Sequence, residues 1–172
     1  LTSLVNSGNE THLADIYHKT TNIIAFSSSP IAALFIFYSH DLLLIWTHSE
    51  IVALNSSPAL SLLAFAAILN SVMQASLALQ FASGLQKPPL YFNIASCFLL
   101  TPLTYFLVLK FGIKGGAISW IVFNLMYYSI IPLFTHRHVL KHHLGQWIFR
   151  DTLPFILLAL ALFGLSYLFS CS

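Results

Sequence analysis

Five runs of apolar residues, 22–46, 58–83, 89–109, 117–134 and 153–169, dominate the chain, and Asp41 is the single Asp, Glu, Lys or Arg inside any of them. Crossing a hydrocarbon core about 30 Å thick takes roughly 20 consecutive helical residues, so each run suits one crossing. The alternative is a soluble domain, and composition argues against it. Charged residues make up 7% and hydrophobic residues 58% of the chain, whereas soluble domains carry about 25% and roughly 45–50%. Too few charges remain to cover a water-facing surface. In a bilayer the outer surface is apolar, and the shortage of charge disappears. The predicted fold is all-α, a multi-pass transmembrane helix bundle of about five spans forming one domain.

Residues 1–20 are polar with scattered apolar positions and read as a short interfacial or cytosolic helix leading into the first span. The chain starts at Leu1 on a polar segment, which suggests a C-terminal or internal fragment of a longer protein and no signal peptide. Between the fourth and fifth runs, residues 135–150 form a basic, aromatic-interrupted segment, expected to lie at the interface with Trp147 as an anchor. Lys19, Lys87, Arg137, Lys141 and Arg150 fall on one side of the membrane and only Lys110 and Lys114 on the other. The positive-inside bias places the N-terminal flank in the cytoplasm of a cell with the protein in its cytoplasmic (inner) membrane. A net charge of +2 gives no reason to expect nucleic acid. Cys97 and Cys171 are far apart in apolar surroundings and form neither a metal spacing nor a disulfide framework.

Glycines mark the turns. Gly84, followed by Pro88 and Pro89, is expected to end the second helix. Gly112, Gly115 and Gly116 permit a tight turn between the third and fourth, and small residues there let helices approach closely. A proline within the first span before LLLIWTH, the stretch LQFASGLQKPPLYFN and the stretch PLTYFLVLKFGIKGGAISWIVFN follow one another in order. Together with the basic segment, the Trp and the Asp-led fifth span, this order resembles the C-terminal half of polysaccharide flippases of the Wzx type. Those flippases belong to the multidrug/oligosaccharidyl-lipid/polysaccharide (MOP) exporter superfamily. The resemblance covers about residues 4–154, and FGIKGGA is its most specific element. It implies four helices of the C-terminal lobe of a MOP-type transporter plus an additional fifth. It also implies a lipid-linked oligosaccharide as substrate, for cell-surface polysaccharide such as the O-antigen of lipopolysaccharide, with membrane lipids and a missing N-terminal lobe of the same chain as partners.

Polar residues at membrane depth are the candidates for such a task. Asn70, Gln74 and Gln80 share one broad face of the second helix, Asn93 lies early in the third, and Asn124 lies mid-fourth near Trp120, Tyr127 and Tyr128. Amides and aromatic faces suit sugars, but for any one of these amides a role as an interhelical tie is the more common one. Asp41 with His40 reads as a coupling site or as an interfacial pair. His12, His18 and His48 read as solvated flank residues. His138 and His142 are four apart without a carboxylate or cysteine to complete a zinc site, so no metal and no cofactor is expected. A pyrophosphate-linked lipid calls for a cationic site, and no Lys or Arg sits firmly inside a span, which assigns that site to the missing lobe. The competing readings are a cation-coupled drug extruder of the same superfamily and a membrane-embedded glycan-assembly enzyme. For the enzyme there is no D-x-D, no H-x-x-x-x-D and no G-x-S-x-G.

Overall fold

The computed structural model describes residues 10–138 and 144–170, and among them every regular element is helical. The elements are α1 (Glu10–Phe37), α2 (Ser39–Thr47), α3 (Glu50–Ala82), α4 (Lys87–Phe111), α5 (Ile113–His138), α6 (Leu144–Gln146), a π-helical turn (Trp147–Thr152) and α7 (Leu153–Ser170). Five helical stretches are long and apolar enough to cross a membrane: His12–Phe37, Glu50–Ala82, Lys87–Phe111, Ile113–Thr135 and Trp147–Phe169. The chain is an integral membrane protein.

The spans stand mainly in a row, α7–α1–α3–α5–α4, with α2 lying against α3. The central position of α3 follows from its composition. Ala53, Ala59, Ala64, Ala66 and Ala75 are all buried along it, and small side chains let neighbouring backbones approach where no hydrophobic force draws helices together. At 33 residues α3 is about 50 Å long by helical rise, so it must tilt or project from the core. By contrast α4 packs mainly on α5, and only 6% of its span is buried.

The first helix that could cross a membrane includes residues 12–21, ahead of the apolar run at 22. Leu13, Ala14, Tyr17, His18, Thr21 and Ala25 are buried, a stripe at helical spacing that joins the polar flank to α1. The run 22–46 is then divided at Tyr38 between α1 and α2. The break leaves carbonyls at the end of α1 without helical partners. Ser61 of α3 donates to the Ile36 carbonyl at 2.9 Å, and its hydroxyl oxygen also lies 2.8 Å from the Ser39 hydroxyl.

The glycine turns have distinct causes. Gly84 has φ +73°, with Gly84 N–H donating to Phe81 and Leu85 N–H to Gln80, the paired bonds of a Schellman end to α3. Gly112 has φ +59° and ψ −137°, a backbone open only to glycine. Gly115 is the close approach, since a Cβ there would stand 2.1 Å from the Leu107 carbonyl oxygen. Gly116 is not, because its nearest neighbour would be a Val108 methyl at 3.9 Å.

The fourth–fifth connection also departs from expectation. The Trp147 indole is fully buried against its neighbours rather than turned outward, 5.4 Å from Tyr128 ring to ring. Trp147 opens the π turn, in which Leu153 N–H reaches back five residues to the Ile148 carbonyl and the Thr152 hydroxyl donates to the Trp147 carbonyl. The side chains of His138 and His142 both lie outside the described ones, as do residues 139–143 altogether.

Replacing Gly115 by Ala is expected to cost about 1–3 kcal/mol through overpacking against backbone, despite the better helix propensity of Ala. Gly116→Ala is expected to be neutral or mildly stabilising. Thermal unfolding of both variants in detergent checks this, and equal melting temperatures would remove the close-packing role of Gly115.

Candidate functional site

Three of the five sequence-derived amides form one hydrogen-bonded chain between α3 and α5. Gln74 Nε2 donates to Asn70 Oδ1 at 3.0 Å, Asn70 Nδ2 to Asn124 Oδ1 at 3.1 Å, and Asn124 Nδ2 to the Trp120 carbonyl at 2.8 Å. Asn124 is buried, Asn70 half-buried and Gln74 exposed, so the chain runs from the helix seam outward. Beside it on α5, Trp120 stacks on Phe123 at 5.2 Å and Phe123 on Tyr127 at 5.5 Å. Spacings of three and four residues put these rings on one helical face.

Gln80 belongs to a different arrangement. It is fully buried, and its Nε2 donates to Thr135 Oγ1 at 2.7 Å and to the Ile131 carbonyl at 3.1 Å. The ten residues from Asn70 to Gln80 fall about 80° short of three full turns, so Gln80 points into the α3–α5 seam while Gln74 turns away from it. Asn93 is exposed on α4, apart from both arrangements.

On the other side of α3 two adjoining grooves, of about 380 Å³ and 460 Å³, run along α1 and share Ser28, Ile31 and Ser71. Gln74 lines the second. The outer end of the amide chain therefore opens into a cleft between two membrane-spanning helices.

A buried ionisable pair escaped the sequence reading. His18 Nδ1 meets Asp151 Oδ2, with His18 on α1 and Asp151 on the π turn, both buried. Next to it the Tyr17 hydroxyl lies 2.7 Å from Ser76 Oγ, tying α1 to α3. His18 is thus an internal partner of the last helix and not a solvated flank residue. Its place in the stripe Leu13, Ala14, Tyr17, Thr21 was the available signal for its burial, but nothing local signals a partner 133 positions away. His40 and Asp41 occur at the opposite end of α1, where His40 also faces Glu50 at 3.3 Å, with both carboxylates exposed. Among the described residues no cluster of His, Cys, Asp and Glu is arranged to hold a metal ion.

Breaking the buried pair from one side strands the other member. Asp151→Asn and His18→Ala are each expected to destabilise the protein by about 3–5 kcal/mol. The double variant should cost clearly less than the sum, a coupling of about 0.5–3 kcal/mol. Unfolding of the four proteins in detergent measures it, and strict additivity would show that the two side chains do not act as a unit.

Comparison with known proteins gives a family but no individual relative. Searches of curated proteins and of solved structures return no match. The family model described as MatE matches residues 2–106, more than half of the chain and a stretch that includes α1 to α3 and most of α4. The members of this family are transporters, not enzymes, and belong to the MOP superfamily. A row of membrane-spanning helices with a polar chain inside it is in keeping with that match, and the chain belongs to the MatE family of membrane transporters.

Proposed function

We propose that the chain is part of one lobe of a flippase that moves a lipid-linked oligosaccharide across the cytoplasmic membrane for cell-surface polysaccharide synthesis. The observation that carries this reading is the amide chain Gln74–Asn70–Asn124, whose exposed end lies within a membrane-spanning helix. Hydrocarbon cannot satisfy an exposed carboxamide, which calls for water, protein or a polar ligand beside it. A sugar meets that need through its hydroxyls, and neighbouring Trp120, the exposed end of the Trp120–Phe123–Tyr127 column, supplies a ring face of the kind sugars stack on. In this reading Gln74, Asn70 and Asn93 touch the glycan, and buried Asn124 holds Asn70 in position. Gln80 acts from the seam by fixing α3 on α5. Lobes that rock about the site would expose it first to the cytoplasm and then to the outside. The N-terminal flank then lies in the cytoplasm, together with the Lys87 turn and Arg150. A cationic site for pyrophosphate is assigned to the other lobe, because Lys87, Lys110, Lys114 and Arg150 are exposed near helix ends here and Lys19 is exposed on the outside of α1.

Expression of the full-length gene in a flippase-deficient cell tests the assignment by restoration of surface glycan. Stable insertion without restoration would refute it for that glycan, and drug efflux by the same protein would favour an extruder. Gln74→Ala and Asn93→Ala should lower export while leaving folding intact, whereas Asn124→Ala should also lower thermal stability, by about 1–3 kcal/mol for an unsatisfied partner. Unchanged export in Gln74→Ala and Asn93→Ala together would remove those two amides from the transport path.

A further inference from the structure

Two helices flank α5 at an angle, and the space between them is open. Asn124 and Thr135 of α5 meet Asn70 and Gln80 of α3, while Phe123 and Tyr127 meet Phe92 of α4 at 6.1 Å and 5.1 Å. Asn124 and Phe123 are consecutive, so α3 and α4 leave α5 about 100° apart. They pack on α5 and not on each other along their lengths. The result is a trough with α3 and α4 as walls and α5 as floor. Trp120 and Tyr127 lie on that floor, since their helical angles fall between those of Asn124 and Phe123.

On α4 the stripe turned to α5 includes Pro89, Phe92, Ser96, Leu100, Leu103 and Leu107, all buried or half-buried at helical spacing. The flanks beside it differ in chemistry. Asn93, Cys97 and Thr104 each follow a stripe residue by one position; Ala95, Leu99 and Phe106 each precede one. The pairings of Asn70 with Asn124 and Gln80 with Thr135 make α3 and α5 parallel, and α4 runs back against both. With right-handed helices so arranged, the flank one residue past the stripe turns toward α3 and the trough. The other wall supplies half-buried Asn70 and, at its rim, exposed Gln74. Polar groups therefore reach the trough from both walls, and at matching depths the far flank of α4 offers hydrocarbon alone.

We propose that the α3–α5–α4 trough is a water-filled surface of the bundle, and that α4 divides water from lipid. Acyl chains leave the exposed carboxamides of Gln74 and Asn93 without partners, whereas water satisfies them. Leu99 and Phe106 lose nothing against acyl chains. The occupant is water together with the polar part of whatever solute is moved, so the assignment holds for a glycan and for a drug alike. Exposed Cys97, one turn from Asn93 on the same flank, reports on the trough from within. A thiol reacts as its thiolate, which apolar surroundings disfavour.

The test uses full-length protein in lipid nanodiscs, which leave both bilayer faces open to a charged, lipid-insoluble methanethiosulfonate. With every other cysteine replaced by serine, Cys97 is expected to react about tenfold faster than a thiol placed by Leu99→Cys in the Cys97→Ser protein. Asn93→Cys against Ala95→Cys, and Thr104→Cys against Phe106→Cys, should repeat the contrast at two other depths. Labelling after denaturation in detergent confirms that each slow thiol is present and reduced. Equal rates on the two flanks would overturn the division of α4. A Cys97 that stays unreactive in the folded protein would mean that lipid or another helix fills the trough, and would overturn it as well. Cys97 is native, so its rate decides the matter even where an introduced cysteine prevents folding. Since no export is measured, failure here and failure of the flippase assignment are separate results.

Discussion

The arrangement depends on α3 being held from both sides in its C-terminal half. Tyr17 reaches Ser76 from α1, while Thr135 and Asn124 of α5 meet Gln80 and Asn70. Van der Waals packing of alanines sets the helix spacing, but it discriminates weakly among rotations and registers. Directed hydrogen bonds in a medium without water do discriminate, because each misaligned amide or hydroxyl would be left unsatisfied. The larger core cluster occurs in the same half, around Met73, Leu79, Tyr127, Ile131 and Trp147. Farther along, the smaller cluster of Ala32, Ile68 and Ile156 joins α1, α3 and α7. Between α1 and α3 the bundle is thus more firmly joined in the half that holds Tyr17 and Ser76.

Such an uneven join bears on how a transporter lobe can work. Polar groups buried between helices fix geometry, whereas polar groups left facing a cleft can exchange partners. Gln74 lies between these conditions, bonded to Asn70 and exposed to the cleft. Asn124 completes the inner side by spending one amide hydrogen on Trp120 of its own helix and its oxygen on Asn70. The result is a polar line passing from a rigid seam to an accessible edge, so that a contact made at Gln74 is braced by two residues behind it. Alternating access requires rigid lobes that keep such contacts while moving as bodies.

Much of this was legible in the sequence because it is local. Apolar runs gave the spans, and Gly84 and Gly112 announced backbone that other residues adopt poorly. Spacing along one helix likewise brought Asn70 and Gln74 together. It could not separate Gln80 from them, because a face drawn from helical angles has no neighbour, and α5 decides which part of it is closed. The start of α1 was hidden by polar side chains whose apolar neighbours form a buried stripe. Trp147 is a different matter: it opens a π turn whose packing against Tyr128 is set by the tertiary fold, and no residue type marks that turn reliably. The His18–Asp151 contact is the extreme case, a product of the tertiary fold alone.

The distance between these two residues along the chain also gives the fold an order in time. Asp151 follows His18 by 133 positions, and at the usual pace of synthesis, about 5–20 residues per second, it leaves the ribosome on the order of ten seconds later. During that interval α1, α3, α4 and α5 can already associate, and α4 with α5 is the most local of these pairings. His18 must then wait beside Tyr17 without its carboxylate. Closure of α7 over α1 accordingly comes after the other four spans have emerged, and a chain cut short before residue 151 would lack the carboxylate that His18 meets in the folded protein.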